Sequence, residues 1–390
     1  MPSEFAAATI VAKCRLSSAR VLAASFRRHH PGVPFFVLLT DEVEGCFDPA
    51  REPFETLLPA DLAIPGFERL RFRYTAEELS YAATPYLIAH LLDRGFRGAV
   101  FLKQESLVLD DLSPVLAALD RHAVLLTPHL LHPLAGADAV ERELKILLSG
   151  VYNCGFAAFS DFPEARRFLG WWQERLASHC LREVERGMHF EQRWLDFAPA
   201  FIESAHIVRD PGMNVAHWNL PERQVCIEGE RVTADGAPCR LFRFSGFDPE
   251  RPEAPTRYFA RLTMENIGPA AALYRRYLAL LEAAGYHQTK RLPYAWDRYD
   301  NGAPIPAIAR RIYRDLGERA ATFGDPFHTG PGSFFAWLGE PAARGVPRIW
   351  SLVHATRPDL QEVFPDPLGR DRRAFLHWVR RHGVREYPGA

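Results

Sequence analysis

The chain has 390 residues, 47% hydrophobic and 24% charged, which is the make-up of an ordinary globular protein long enough for two lobes. A formal net charge of −1 argues against nucleic acid or an anionic membrane as the main partner, while leaving local fields open. Met1 to Thr9 lacks a basic-then-apolar leader pattern, and no apolar run approaches the roughly 18 residues of a transmembrane helix, so a cytoplasmic location is expected.

Thr9 to Cys14 reads as a first strand. A helix carrying Ala19, Val21, Leu22 and Phe26 follows, and Phe35 to Leu39 is a second strand closed by Thr40-Asp41-Glu42. This βαβ unit predicts a parallel sheet. Residues 45–75 are rich in proline and weakly periodic. From Glu77 to Arg94, the positions Leu79, Ala82, Leu87, Leu91 and Leu92 suit an amphipathic helix interrupted at Pro85.

Gly98 to Leu112 holds two short apolar runs, Ala99 to Leu102 and Ser106 to Leu109, on either side of Lys103-Gln104-Glu105. Their length and their Val and Phe content favour strands, with the charged tripeptide at a carboxyl end, where open α/β sheets bind ligands. Val124 to Thr127 and Val151 to Phe159 are further strands. The helix over Phe162 to Glu185 carries Phe168, Trp171, Trp172 and Leu176 as a packing stripe. Arg231 to Gly236 is a hairpin with an Asp-Gly turn, and Arg240 to Pro249 is a strand entering a glycine loop. After Pro252 the pattern turns helical, with Leu262 to Ala284 and Pro306 to Arg319 as its longest stretches. The six cysteines lack C-x-x-C spacing, which disfavours zinc or a disulfide framework.

Phe101-Leu102 and Leu107-Val-Leu-Asp-Asp-Leu112 resemble the metal strand of bacterial nucleotide-sugar glycosyltransferases of the GT-A fold, in the glycogenin-like, family 8-like group. There the segment reads about Tyr-Leu-Asp-Pro-Asp-Ile and ends in Leu-Val-Leu-Asp-Asp-Leu. Tyr152-Asn-Cys-Gly-Phe156, Glu191-Gln192, Gly212-Met-Asn-Val-Ala-His-Trp-Asn219 and Phe244-Ser-Gly-Phe-Asp-Pro249 are similar to further segments of that group. The resemblance runs over nearly the whole chain. It implies a GT-A α/β domain over residues 1–250 with a mostly parallel central sheet, and a mostly helical lobe over 251–390.

The same resemblance implies a donor such as a UDP-, GDP- or dTDP-sugar and an acceptor that is a glycan, a lipid-linked glycan, a peptide or a small molecule. By position, Thr9, Lys13 and Asp41 fall on the base and ribose side. Asn153 falls near the transferred sugar, Asn214, His217, Trp218 and Asn219 form a cluster on the donor side, and Ser245 and Gly246 lie in the last loop. Glu191, with Gln192 beside it, falls near the acceptor and the scissile bond, and is the candidate to serve the acceptor hydroxyl.

The sequence departs from the family where the metal should be. Lys103 and Glu105 stand at the two aspartates of Asp-x-Asp, and Arg243 stands at the histidine that supplies the third ligand. Asp-x-Asp with His is a hard-metal site. Two fixed cations would instead repel a divalent ion. The expectation is therefore a glycosyltransferase without a metal cofactor, with Lys103 and Arg243 taking the ion's place on the diphosphate. The alternative is a non-catalytic relative that binds a sugar nucleotide or glycan and partners an active transferase.

Overall fold

The structure, a computed structural model, describes residues 4–390. Its centre is a seven-stranded sheet built from β1 (Phe5–Val11), β2 (Phe35–Leu39), β3 (Glu55–Leu57), β4 (Gly98–Leu102), β6 (Val124–Pro128), β7 (Tyr152–Ser160) and the strand Ala205–Ile207. β5 (Ser106–Val108) lies outside it. From one edge, the order is β3, β2, β1, β4, β7, β6 and Ala205–Ile207. All neighbours run parallel except β7, which is antiparallel to both β4 and β6. The expected α/β class with a mostly parallel central sheet is what the chain adopts.

β1, β2, β4 and β6 are buried almost throughout, as expected of strands covered on both faces. The helix Leu16–His29 packs Leu16, Ala19, Leu22 and Phe26 on one side of the sheet, against Val11, Val37, Leu39 and Val100. On the helix Pro163–Leu176, Phe168, Leu169, Trp172 and Leu176 are buried, and Trp172 stacks near Phe159 of β7 at 6.3 Å.

Several boundaries differ from the sequence reading, for local reasons. The stretch expected as one helix from Glu77 to Arg94 is two, Ala76–Ala82 and Thr84–Asp93, because Pro85 can only occupy the first turn of a new helix. The helix expected to reach Glu185 stops at Leu176, and Arg182–Glu183 instead forms a small hairpin with Met188–His189. The long helix expected from Leu262 begins only at Ala270, after Gly268 and Pro269. The Asp-Gly turn is present: Asp235 and Gly236 both hold positive φ, 50° and 80°.

The chain divides into two compact units: the first runs through Ile64 and resumes over Ala76–Tyr294, and the second combines Pro65–Thr75 with Ala295–Ala390. The division thus falls after Tyr294 rather than at 250. The helix Ala270–Ala283 belongs to the first unit because Leu273, Tyr274, Tyr277 and Leu281 pack with Phe242 and Phe244. Segment 65–75 belongs to the second unit because Phe72 is buried among Tyr299, Tyr313, Phe327 and Phe334. Buried Arg310 anchors the same segment by donating to the carbonyls of Phe72 (2.7 Å) and Tyr74 (3.0 Å). The second unit is mostly helical, with Ala307–Asp315, Phe334–Gly339, Arg348–Ala355 and Arg372–Trp378 among its helices.

Candidate functional site

The site lies in the first unit, at the carboxyl edge of the six co-directional strands. β4 ends at Leu102, so Lys103 leaves the sheet there, and its N–H donates to the Gly155 carbonyl of β7 at 3.0 Å. His129 follows β6 at the same edge. Asn153 comes from the start of β7, which that strand's reversal brings to this edge. β5 turns away from the main sheet and pairs antiparallel with Leu241–Arg243, Ser106 opposite Arg243. This register sets Arg243 beside Glu105, and Phe244 N–H donates to the Glu105 carbonyl at 2.8 Å.

Each of the two cations meets a carboxylate. Arg243 Nη2 donates to Glu105 Oε1 at 2.7 Å, and Nη1 donates to Asn153 Oδ1. Asn153 Oδ1 also accepts from Gly155 N–H at 2.8 Å, and Asn153 Nδ2 lies 2.9 Å from His129 Nε2. The guanidinium lies 5.6 Å from the centre of the Trp218 ring. Lys103 Nζ donates to Glu191 Oε1 at 3.1 Å and sits 3.5 Å from the centre of the Tyr81 ring. Tyr81 in turn donates to Glu77, four residues earlier on the same helix, at 3.1 Å.

Glu191 is fixed by its surroundings. Trp172 Nε1 donates to its carbonyl at 3.2 Å. Next to it, Gln192 spends both ends of its amide on backbone, accepting from Cys154 N–H at 3.0 Å and donating to the Ser149 carbonyl at 2.9 Å. Phe190, just before, is held at φ 49°, a left-handed conformation that costs a bulky residue about 1–2 kcal/mol. Such outliers persist where surrounding packing over-determines them.

Together these residues line a cleft of about 520 Å³, within the size range of small-molecule sites. Lys103, Arg142, Lys145, Arg182, Arg243 and Arg257 face Glu77, Glu105 and Glu191 around it, so cations outnumber carboxylates. Burial works against the Lys103 charge, but Glu191, Tyr81 and Glu105 outweigh it and raise the ammonium above its usual value. Burial likewise opposes the Glu105 charge, and Arg243 and Lys103 overcome it, lowering that carboxyl. Burial first, and the neighbouring cations after it, push His129 and His217 down to about 3 and His189 to about 4, so all three are neutral. Four buried atoms here lack hydrogen-bond partners: Trp218 Nε1, Arg243 Nε, His189 Nδ1 and Glu191 Oε2. Burial foremost, and the neighbouring Glu191 after it, push the Cys154 thiol up.

Of the residues singled out in the sequence, Lys103, Glu105, Asn153, Glu191, Gln192, His217, Trp218, Arg243 and Ser245 line this cleft. The others do not. Lys13 and Asp41 are buried against each other, with Nζ 3.3 Å from Oδ1, and Lys13 also bonds Glu44. Thr9 is fully buried within β1. Asn214 and Asn219 are buried scaffolding: Asn214 donates to Thr127 Oγ1, and Asn219 caps Ala216 N–H while donating to the carbonyls of His129 and Asn214. Gly246, at φ 75°, lies under the Tyr258 ring, where a β-carbon would come within 2.6 Å. Tyr81, His129, His189, Arg142 and Arg257 line the cleft as well, without standing out in the sequence. Only His129 carried a signal, by directly following a strand at the edge where ligands bind.

The divalent ion implied by the family resemblance does not fit the side chains present. Of the three ligand positions only Glu105 offers a hard oxygen, and Arg243 already holds it. Among the described residues, no group of three or more His, Cys, Asp or Glu side chains is arranged around a common metal position.

No protein-family model matches the chain. It is 24% identical over 246 residues to the Bacillus subtilis protein YfnF, a match covering 61% of this chain and 80% of that protein. It is 30% identical over 101 residues to YfnD of the same organism, covering 25% of this chain and 32% of that protein. Both are described as uncharacterized. Among solved structures, the galactosyltransferase LgtC, in complex with donor and acceptor sugar analogues, aligns at 14% identity with a TM-score of 0.40, covering 74% of this chain and 98% of its own. The glycosyltransferase GlyE of Streptococcus pneumoniae aligns at 13% identity with a TM-score of 0.38, covering 75% and 66%.

Proposed function

We propose that this chain is a GT-A-type glycosyltransferase that moves a sugar from a nucleotide-diphosphate sugar to an acceptor, with Lys103 and Arg243 doing the work of a metal ion. One observation carries the reading: Lys103 and Glu105, two residues apart, meet Arg243 from far along the chain in one cleft at the sheet edge, with Asn153 and Glu191. Breaking a glycosidic bond to a diphosphate builds negative charge on the leaving group, and preorganised donors aimed there lower the barrier. Lys103 has three N–H donors, of which Glu191 takes one, and Arg243 Nε is uncommitted. Lys103 can therefore bind a phosphoryl oxygen and keep its present partner, whereas Arg243, whose Nε is buried and whose Nη atoms hold Asn153 and Glu105, supplies its charge from behind or shifts to make a direct contact. Glu191 lines the cleft, and its carboxylate is suited to accept the proton of an acceptor hydroxyl as the hydroxyl oxygen bonds to the anomeric carbon and the nucleoside diphosphate departs.

A non-catalytic sugar-nucleotide- or glycan-binding partner of an active transferase is the second reading. What favours it is that each cation already faces a carboxylate, an arrangement complete without ligand.

Calorimetry with UDP, GDP and dTDP, each with and without EDTA, tests the first reading. At least one nucleotide should bind, with the same affinity in EDTA, and Lys103→Ala or Arg243→Ala should weaken it about ten- to a hundred-fold. Glu191→Gln should spare that binding and lower turnover with a matched acceptor. Binding lost in EDTA would overturn the metal-replacement scheme. Binding without turnover across acceptors would favour the second reading.

A further inference from the structure

A divalent ion is fixed by its own ligands, but a lysine ammonium hangs on a flexible four-carbon stem and has to be held in place. Two groups hold that of Lys103. Glu191 accepts from it at 3.1 Å, and the face of the Tyr81 ring lies against it, with Nζ 3.5 Å from the ring centre. No other cation among the described residues comes so near to a ring. The next, the guanidinium carbons of Arg94 at Phe36 and of Arg142 at Phe259, stand at 4.6 Å.

The ring is itself held from further sides. Its hydroxyl donates to Glu77, and Phe190 meets it edge to face, with the ring centres 5.0 Å apart. Phe190 is set there by its left-handed backbone and by its N–H, which donates to the Leu181 carbonyl at 2.8 Å. The helix that carries Tyr81, Ala76–Ala82, is tied to the end of β2 by a 3.1 Å contact between the hydroxyls of Ser80 and Thr40. Burial foremost raises the Tyr81 phenol well above its usual value, so the ring stays neutral and offers Lys103 a π face rather than a phenolate.

We propose that Tyr81 is a positioning residue: the face of its ring, not its hydroxyl, fixes the Lys103 ammonium so that one N–H goes to Glu191 and another is left for an anion in the cleft. An ammonium has three N–H bonds. With one on Glu191 and one turned to the ring, the third is free to enter the cleft that Lys103 lines. Glu105, the other carboxylate whose charge acts on Lys103, is engaged by Arg243 at 2.7 Å. The ring therefore supplies the second contact that no carboxylate does. What the third N–H meets rests on the proposed glycosyl transfer, where it is a phosphoryl oxygen of the donor.

Competitive acetylation of the full chain with acetic anhydride, read peptide by peptide in a mass spectrometer, tests the positioning without any nucleotide. The chain has four lysines, and fully buried Lys13 reports on opening of the fold. Lys103 should be acetylated equally slowly in the parent and in Tyr81→Phe, whereas Tyr81→Leu should raise its rate about fivefold or more with Lys13 still protected. Phenylalanines carrying one, two and three fluorine atoms at position 81 nearly keep the ring's shape while draining its negative face, so the Lys103 rate should climb with each fluorine. An unchanged rate in Tyr81→Leu, or a rate blind to fluorination, overturns the proposal, as does Tyr81→Phe behaving like Tyr81→Leu. Should Lys13 also open in Tyr81→Leu, the fluorinated series decides alone. Calorimetry with UDP, GDP and dTDP is the separate arm: Tyr81→Leu should weaken the nucleotide that binds about three- to thirty-fold, and Tyr81→Phe should spare it. Affinity unmoved in Tyr81→Leu overturns the proposal. If acetylation follows the ring but no nucleotide binds even the parent, the positioning stands and the glycosyl-transfer reading fails.

Discussion

A β-carbon placed on Gly155 would lie 1.6 Å from Nη1 of Arg243, so the guanidinium fills the space that any side chain at position 155 would need. Arg243 is almost wholly buried, and its pairing with Glu105 and Asn153 depends on that space. Gly155→Ala should therefore displace the arginine and act on ligand binding through it. Nucleotide affinity should fall by at least tenfold, comparable to Arg243→Ala, since each charge-assisted contact is worth about 1.5–3 kcal/mol. The double variant should be no worse than Arg243→Ala alone, because both changes remove the same interaction. Calorimetric affinities for UDP across the four proteins check this; additive losses would mean that Gly155 acts independently of Arg243.

Lys103 and Glu191 make the second test. Glu191 is 1% exposed, so Lys103→Met strands a buried carboxylate and should cost about 3–5 kcal/mol of stability. Adding Glu191→Gln removes the stranded charge and should restore most of that loss in urea denaturation. Nucleotide binding should stay impaired in both proteins if Lys103 meets the diphosphate. Recovery of binding along with stability would make the lysine a purely structural counter-ion.

Asn219 separates scaffold from site. It is fully buried, does not line the cleft, and satisfies Ala216 N–H and the carbonyls of His129 and Asn214. Asn219→Ala leaves those groups without partners and should cost about 1–3 kcal/mol, with nucleotide affinity of the folded protein little changed. An affinity loss beyond tenfold at intact folding would assign it to the ligand after all.

What the sequence could and could not announce follows from where each signal resides. The strand pair around Lys103-Gln104-Glu105 was legible because two apolar runs bracket three polar residues, and its position at a strand end follows from that pattern alone. Gly155, within Tyr152-Asn-Cys-Gly-Phe156, leaves a space whose occupant no local pattern names. The occupant is Arg243, and only the pairing of β5 with Leu241–Arg243 reveals it. Lys13 and Asp41 each stand at the end of one of two adjacent strands, where either alone looks like a ligand candidate. Opposite charges at the ends of neighbouring parallel strands can satisfy each other, and these do. Tyr81 joins the site through contact with Lys103 across the fold, and no local pattern marks it. Segment 65–75 leaves its sequence neighbours for the second unit because of packing on residues more than two hundred positions later, which no local periodicity records.

The histidines give the chain a pH signature. His129 and His217 are pushed down to about 3 and His189 to about 4 by burial foremost, and His30, His90 and His206 are also lowered, again chiefly by burial. In the unfolded chain each would titrate near 6.5. Between about pH 6.5 and 4.5 the unfolded state therefore binds protons that the folded state refuses, so stability is full near neutrality and falls as the pH drops through this window. Each histidine's loss ends only below its folded value, when the native protein takes up the proton too. The lowered Glu105 adds a similar loss, but at more acid pH, below its ordinary 4.5. Three fully refused protons give a slope of up to about 4 kcal/mol per pH unit. Urea midpoints at pH 7.5, 6.5, 5.5 and 4.5 should decline in that pattern. His129→Gln with His217→Gln should flatten the slope even if it lowers the stability at pH 7.5. A parent protein whose stability does not change from pH 6.5 to 4.5 would show that these rings are not held neutral by the fold.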